Sequence, residues 1–161
     1  VFGSPDIVGV QLAGILKNIM AIASGMLSGL GYETNSRSML IAKGLSEMIN
    51  IGEQLGADKS AFLGLAGVGD LVATCSSPLS RNYTVGYRMA KGSSLSEVLA
   101  TMEEVSEGVR TIKVTKMLCD TYNIPAPITT TLYAVLYENM TVSDGLKRLM
   151  SYKYDIDVDF L

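Results

Sequence analysis

The sequence predicts an all-α fold, a compact multi-helix bundle, from three observations. Helix start and stop signals recur along the whole chain, and beyond the first two residues no stretch alternates apolar and polar residues for long enough to build a sheet. Hydrophobic residues make up 48% of the 161 residues and charged residues 18%, so one domain of this length can bury a substantial core. We therefore expect a single domain over residues 1–161, with residues 152–161 as a flexible tail.

The first predicted helix runs from Ile7 to the glycines near Gly29. Ser4, Pro5 and Asp6 mark its start with a capping hydroxyl, a proline in the first turn and a carboxylate at the positive end of the helix dipole. The later helices are each expected to begin at a polar capping residue and to end at a glycine, an asparagine or a proline. Their predicted spans are 35–55, a short helix from 58, 80–91, a helix from the capping box at 94–97, 106–122, a helix from 129 or 130, and a helix from 143.

Lys17 is the only charged residue between Ile7 and Met26. A helix this apolar is either a buried core helix or a membrane span. A lysine at the centre of a span costs about 2.5–3.5 kcal/mol on insertion scales, which favours the core helix and predicts no membrane span. Burial disfavours a charged ammonium, and a lysine that exchanges its proton near neutral pH can act as a general acid or base. Lys17 is therefore the first candidate catalytic residue.

Composition excludes several classes of function. A net charge of −3 with no basic run argues against nucleic acid and acidic membrane surfaces as partners. The sequence has no histidine, and Cys75 and Cys119 stand in no metal-ligand spacing, so we predict no metal site. Two distant cysteines suit buried thiols of a cytoplasmic protein, and neither end resembles a targeting signal.

The glycine-dense segment from Gly64 to Leu71, GLAGVGDL, fails as a dinucleotide fingerprint because no strand precedes it and the G-x-G-x-x-G spacing is not met. Two interpretations stay open. The glycines either form a tight turn that presents Asp70 to a ligand, or they form a plain interhelical turn capped by Asp70.

A second polar segment surrounds Pro78, which ends one element. Ser80 can cap the next helix and leave free N–H groups there, and Arg81 adds a planar guanidinium suited to phosphate or carboxylate. An arginine in the first turn of a helix opposes the helix dipole, so stability alone does not explain it. The acidic residues from Glu103 to Glu107 are explained by a helix N-terminus without any ligand.

Several ordered motifs resemble the NAD(P)-dependent glycerol-3-phosphate dehydrogenases. They are Gly9-Val-x-Leu-x-Gly-x-Leu-Lys17-Asn18-x-x-Ala-Ile-Ala23, the segment GLAGVGDL at 64–71, Leu79-Ser80-Arg81-Asn82, Glu107-Gly108-x-Arg110-Thr111 and Pro127-Ile128-Thr129. The resemblance covers essentially the whole chain but only the C-terminal helical domain of that enzyme, a fold that 6-phosphogluconate dehydrogenases share. An N-terminal Rossmann domain is the implied partner. Gln11 stands where the family usually has glutamate, and Ala13 where it often has glycine, so the packing beside Lys17 departs slightly from the family pattern.

The resemblance implies roles for individual residues. Lys17 would be the proton donor and acceptor at the carbon-2 oxygen of the substrate. The substrate site for dihydroxyacetone phosphate or sn-glycerol 3-phosphate would comprise Lys17, Asp70, Ser80, Arg81 and Asn82. The cofactor, NAD or NADP, would be bound by Arg81, Val105 and Glu107. The resemblance also implies a cytoplasmic homodimer that feeds glycerophospholipid synthesis.

Two alternatives remain at this point. The chain could be the helical domain of another hydroxy-acid dehydrogenase, such as a 6-phosphogluconate-type enzyme, or a non-enzymatic helical dimerisation module. The ordered Lys-Asn and Ser-Arg-Asn motifs argue against the first, and a lysine isolated in an apolar helix argues against the second. Convergence of Lys17, Asp70 and Arg81 on one cleft would favour the enzyme.

Overall fold

The computed structural model describes residues 3–102 and 106–152, and all regular structure in these two ranges is helical. The helices are α1 Ile7–Gly29, α2 Thr34–Gln54, α3 Ser60–Leu63, α4 Asp70–Ser76, α5 Arg81–Ala90, α6 Leu95–Ala100, α7 Glu107–Tyr122, α8 Pro127–Tyr137 and α9 Val142–Ser151. A π-helical turn, Leu65–Gly69, joins α3 to α4. The all-α prediction is thus confirmed, while the predicted tail lies, from residue 153 onward, outside the described residues.

Helix α1 is the centre of the bundle and packs against α5, α4, α2 and α7. Its second half is sealed in the core, where Ile19 and Ile22 are both 0% exposed. Its first half is different, since Ile7 is 70% exposed and Ile15 is 47% exposed. The helix is long and apolar enough to cross a membrane by length and composition, a property that the core helix of a soluble protein shares. The prediction of a helix buried all round therefore holds only for its second half.

Glycines set the distance between α1 and α5. A Cβ atom on Gly25 would lie 2.0 Å from the carbonyl oxygen of Tyr83, and one on Gly86 would lie 1.9 Å from that of Ile22. No side chain fits between backbones this close, so only glycine allows the crossing. The crossing lies at residues 22–26 of α1, and it brings the first turn of α5 close enough for Asn82 Nδ2 to donate to Asn18, the residue after Lys17.

The start of α1 differs in detail from the prediction. Asp6, rather than Ser4, caps the helix, because Asp6 Oδ1 accepts the Gly9 N–H at 2.9 Å while Ser4 Oγ accepts the Asp6 N–H at 3.3 Å. Asp6 Oδ2 also accepts the N–H of Asp58 at 2.7 Å, which ties the start of α1 to the start of α3. The hydrogen bond from Gly9, followed by that from Asp58, lowers the pKa of Asp6.

Some of the other predicted capping residues are confirmed, and others are wrong. The capping box of Ser94 and Glu97 at α6 is confirmed, and Asp58 accepts the Ser60 N–H at the start of α3. Helix α2 begins before Asn35, with no side-chain cap. Helix α9 is capped by Thr141 instead of Ser143, because the Thr141 hydroxyl accepts the Asp144 N–H at 3.0 Å.

The start of α8 is corrected for a different reason. The helix begins at Pro127 instead of Thr129 or Thr130, and its cap comes from Glu47 on α2. Glu47 Oε2 accepts the Ile128 N–H at 2.7 Å, and Oε1 accepts the Thr129 N–H at 2.9 Å and the Thr129 hydroxyl at 2.7 Å. A cap supplied by a residue 81 positions away leaves no local sequence signal.

Candidate active site

Lys17 and Asp70 form an ion pair between α1 and α4. Lys17 Nζ donates a hydrogen bond to Asp70 Oδ2, and the two residues are 53 positions apart in the sequence. Their side chains are 21% and 39% exposed, respectively. The lysine is therefore not sealed in the core, which corrects the expectation from sequence, and its charge is matched by a carboxylate that also has access to solvent.

The π-helical turn Leu65–Gly69 places Asp70 opposite Lys17. A Cβ atom on Gly67 would lie 2.1 Å from the carbonyl oxygen of Phe62, so this turn packs directly on the backbone of α3. Asp70 then begins α4, and its carboxylate turns toward Lys17. The glycine segment is thus a tight turn after which Asp70 binds Lys17 instead of capping α4, and the presentation of Asp70 to a ligand stays a prediction.

Thr74 extends the ion pair toward a cleft. Its hydroxyl lies 2.7 Å from the carbonyl oxygen of Asp70 and 3.2 Å from Asp70 Oδ1, and it can donate to either. Sequence reasoning missed this residue. The signal that could have found it is the spacing, because residues four apart lie on the same face of a helix and Thr74 follows Asp70 by four.

The cleft beside Thr74 has a volume of about 500 Å³, and polar and apolar atoms contribute about equally to its lining. Ser80 is the N-cap of α5, with its side chain accepting the Tyr83 N–H at 3.4 Å, and Arg81 is the first residue of that helix. The cleft thus combines a helix N-terminus with a guanidinium group, an arrangement that binds anions. The residues that line it are Asn18, Ala73, Thr74, Ser77, Leu79, Ser80, Arg81, Asn82 and Glu107.

Asn82 connects three helices at the base of the cleft and is 8% exposed. Its Nδ2 donates to Asn18 Oδ1 at 3.0 Å on α1. Its Oδ1 accepts the Ser106 hydroxyl at 2.5 Å and the Gly108 N–H at 3.0 Å at the start of α7. Sequence reasoning also missed Asn18 as a site residue, although it directly follows Lys17.

The structure brings most of the predicted site residues together. Ser80, Arg81, Asn82 and Glu107 line one cleft. Lys17 and Asp70 do not line this cleft; Asp70, which binds Lys17, is connected to it by the hydroxyl of Thr74, a lining residue. Val105 lies outside the described residues. An apolar cavity of about 210 Å³ between α1, α2, α8 and α9 contains none of these residues.

Comparison with known proteins gives a consistent match. Residues 6–147 match the family described as NAD-dependent glycerol-3-phosphate dehydrogenase C-terminus. Two curated relatives named glycerol-3-phosphate dehydrogenase (NAD(P)+), from Staphylococcus aureus strain USA300 / TCH1516 and from Staphylococcus saprophyticus, are 46% and 49% identical to this chain over 150 residues. Each match covers 93% of this chain and 45% of the relative, so the chain spans less than half the length of these relatives.

Solved structures agree with this match. The crystal structure of glycerol-3-phosphate dehydrogenase from Coxiella burnetii superposes with a TM-score of 0.91 and 32% identity, over 94% of this chain and 47% of that chain. The structure of DsGPDH of Dunaliella salina superposes with a TM-score of 0.78 and 23% identity, over 90% of this chain and 27% of that chain, and shows the fold alone. The chain belongs to the family of NAD-dependent glycerol-3-phosphate dehydrogenase C-terminal domains.

Proposed function

We propose that this chain is the substrate-binding and catalytic domain of an enzyme that interconverts dihydroxyacetone phosphate and sn-glycerol 3-phosphate with NAD or NADP. The observation that carries the proposal is the Lys17–Asp70 ion pair, linked through Thr74 to a cleft that contains Arg81. A proton-exchanging group beside an anion-binding cleft is what reduction of a phosphorylated ketone requires. The same arrangement argues against a non-enzymatic dimerisation module.

The substrate phosphate binds at the start of α5. Arg81 offers paired N–H donors, and the helix N-terminus adds a positive partial charge. The hydroxyl of Ser80 and the second N–H of the Asn82 amide are further donors at this cleft. This donor set suits three phosphate oxygens better than it suits an uncharged ligand.

The carbon-2 oxygen of the substrate lies next to Lys17. In the reductive direction Lys17 Nζ gives this oxygen a proton, and in the oxidative direction it takes the proton back. Asp70 accepts a hydrogen bond from Lys17 Nζ and so orients it, and Thr74 holds Asp70 in place through its hydroxyl. The nicotinamide cofactor, when bound, supplies or accepts the hydride at carbon 2.

The cofactor fits the same end of the cleft. Arg81 and Glu107 both line it, and they are the first residues of α5 and α7. A guanidinium, a carboxylate and amide groups can bind the carboxamide and hydroxyl groups of a pyridine nucleotide. Val105 completes the proposed set on the basis of the family resemblance.

A Rossmann domain is the proposed partner of this chain. Large apolar side chains are exposed near the ion pair and in the cleft: Leu65, in the turn before Asp70, is 69% exposed, and Leu79, which lines the cleft, is 92% exposed. An apolar rim beside an incomplete cofactor site suits a nucleotide-binding domain that closes over it. We further propose a cytoplasmic homodimer whose product enters glycerophospholipid synthesis, as the family resemblance implies.

The test compares two proteins: this chain alone, and the complete enzyme, meaning this chain joined to its nucleotide-binding domain. We expect the complete enzyme to oxidise NADH or NADPH in the presence of dihydroxyacetone phosphate. We expect the chain alone to be folded, as circular dichroism would show, but inactive. Activity of the chain alone would contradict the assignment of half of the site to another domain, and a complete enzyme inactive on dihydroxyacetone phosphate would contradict the proposed substrate.

A further inference from the structure

Ser106 occupies the N-cap position of α7 but does not cap it. A serine at this position ordinarily accepts an N–H from the first turn of its own helix. Ser106 is 1% exposed and makes no such bond; its hydroxyl donates to Asn82 Oδ1 on α5 at 2.5 Å. The N–H of Gly108, which a local cap would take, donates to the same oxygen at 3.0 Å. Asn82 therefore caps α7 from another helix.

The direction of these hydrogen bonds is fixed by chemistry. A backbone N–H can only donate, so the Asn82 atom that faces Gly108 is the amide oxygen. The nitrogen of Asn82 then faces α1 and donates to Asn18 Oδ1 at 3.0 Å. The nitrogen of Asn18 in turn lies 3.4 Å from the carbonyl oxygen of Gly14. Consecutive hydrogen bonds thus connect the start of α7, through Asn82 on α5, to Asn18 on α1, the residue next to Lys17.

The packing at this junction leaves little room for adjustment. A Cβ atom on Gly108 would lie 2.5 Å from Asn82 Oδ1 and 2.9 Å from the backbone oxygen of Asn18. The start of α7 is therefore pressed against α1 at the level of Lys17. A displacement of α7 toward α1 here must move the Asn82 amide or the backbone of α1, and a displacement away from it lengthens the hydrogen bond from Gly108 to Asn82.

We infer that Asn82 is a positioning residue that couples the two sides of the cleft, with Ser106 and Gly108 as its partners on α7. On one side Asn82 holds Asn18, the neighbour of Lys17. On the other side it fixes the start of α7, which carries Glu107 into the cleft. The affinity for a pyridine nucleotide then depends on a hydroxyl, that of Ser106, which is buried and does not line the cleft. This inference rests on the proposed function for the identity of the cofactor.

The first measurement uses the complete enzyme with Ser106→Ala and titrates NADH by its fluorescence. A neutral hydrogen bond contributes a factor of roughly 3 to 10 to an equilibrium constant, so we expect the Kd for NADH to rise by about that factor. The KM for dihydroxyacetone phosphate at saturating NADH should stay within about twofold of wild type. The matched control is Ser94→Ala, which removes the ordinary local cap of α6. It should lower stability and leave the Kd for NADH unchanged.

The second measurement tests the coupling itself. Asn82→Ala should raise the Kd for NADH at least as much as Ser106→Ala does. The double variant should be no worse than Asn82→Ala, because the Ser106 hydroxyl then has no acceptor left to lose. An unchanged Kd in Ser106→Ala, or losses that add in the double variant, would overturn the inference. An enzyme that binds NADH but does not reduce dihydroxyacetone phosphate would instead refute the proposed substrate, and the coupling would still be read from the Kd values.

Discussion

Asp70 and Glu47 are two carboxylates that each bind a distant part of the chain, and their surroundings differ. Asp70 binds the Lys17 ammonium, and its side chain is 39% exposed and accepts from Thr74, which lines the cleft. Glu47 is 6% exposed and accepts three hydrogen bonds from Ile128 and Thr129 at the start of α8. One carboxylate is matched by a cation, and the other by a helix N-terminus.

The comparison shows that a perturbed titration alone does not identify a catalytic group. Burial raises the pKa of Glu47 to about 7, against the opposing effect of its hydrogen bonds to Thr129 and Ile128. A pKa near neutrality is typical of functional sites. Glu47 also lines a pocket, of about 220 Å³, but both of its carboxylate oxygens already accept hydrogen bonds from the start of α8. The chemistry of their partners supports our proposal that Lys17, paired with Asp70, is the catalytic residue, and it gives Glu47 a structural role.

Replacement of Lys17 should produce the largest effect. Loss of a general acid or base typically costs about 10² to 10⁴ in rate, so Lys17→Ala in the complete enzyme should lower kcat by that factor. The KM for dihydroxyacetone phosphate should stay within about tenfold, because Arg81 still binds the phosphate. Steady-state kinetics measures both constants, and Lys113→Ala, an exposed lysine on α7, is the control. An unchanged kcat would show that Lys17 has only a structural role.

Glu47 should make the free energy of unfolding depend on pH. Because its folded-state pKa lies above the ordinary value of 4.5, its contribution to stability is complete below about pH 4.5 and is lost as the pH rises through about 7. The loss is on the order of 3 kcal/mol, since one pKa unit corresponds to about 1.4 kcal/mol. Urea unfolding of wild type and Glu47→Gln between pH 5 and pH 8 measures it. The advantage of wild type over Glu47→Gln should shrink as the pH rises; a constant difference would show that Glu47 does not titrate in this range.

Asp70→Asn makes the same chemical change as Glu47→Gln, from a carboxylate to an amide, but we expect the opposite pattern of effects. The substitution keeps the shape of the side chain but removes the charge that faces Lys17. Because the pair is partly exposed, the free energy of unfolding should change little, by about 1 kcal/mol or less. Because Lys17 loses the group that orients it, kcat should fall by roughly 10- to 100-fold. Glu47→Gln should do the reverse and leave kcat of the folded enzyme unchanged. Equal effects of both variants on kcat would remove the distinction between the two carboxylates.

Arg81→Lys should produce the smallest of these effects. Lysine keeps the charge but loses the paired N–H donors of the guanidinium. The KM for dihydroxyacetone phosphate should rise by about tenfold, and that for unphosphorylated dihydroxyacetone should change much less. Equal losses with both substrates would show that Arg81 serves the cofactor or the fold instead of the phosphate.

Local signals in the sequence predicted most of the fold. The capping box at Ser94, the glycine after α2 and the polar start of α5 each act within a few residues, so they can be read without a structure. The cap of α8 by Glu47 could not be read in this way, because it joins residues 81 positions apart. The capping of α7 by Asn82 could not be predicted for the same reason, because Asn82 is distant in the sequence and Ser106 occupies the local N-cap position.

The sequence predicted which residues lie at the candidate site better than it predicted their burial and contacts. Lys17 stood out as a lone charge in an apolar helix, but its burial was overestimated because the apolar residues before it, such as Ile7 and Ile15, face outward. The ion pair with Asp70 follows from packing across 53 positions and has no local signature. Thr74 was missed although its spacing from Asp70 on α4 was visible in the sequence.

Chemical rescue of Lys17→Ala in the complete enzyme tests proton transfer by Lys17 most directly. Small primary amines such as methylamine can enter the space left by the side chain and carry a proton, whereas tetramethylammonium carries the charge without a proton. If Lys17 exchanges a proton with the carbon-2 oxygen, methylammonium should restore a measurable part of kcat for dihydroxyacetone phosphate, and tetramethylammonium should restore none. Equal recovery with both cations, or no recovery with any primary amine in a variant that still binds the substrate, would contradict the assignment of proton transfer to Lys17.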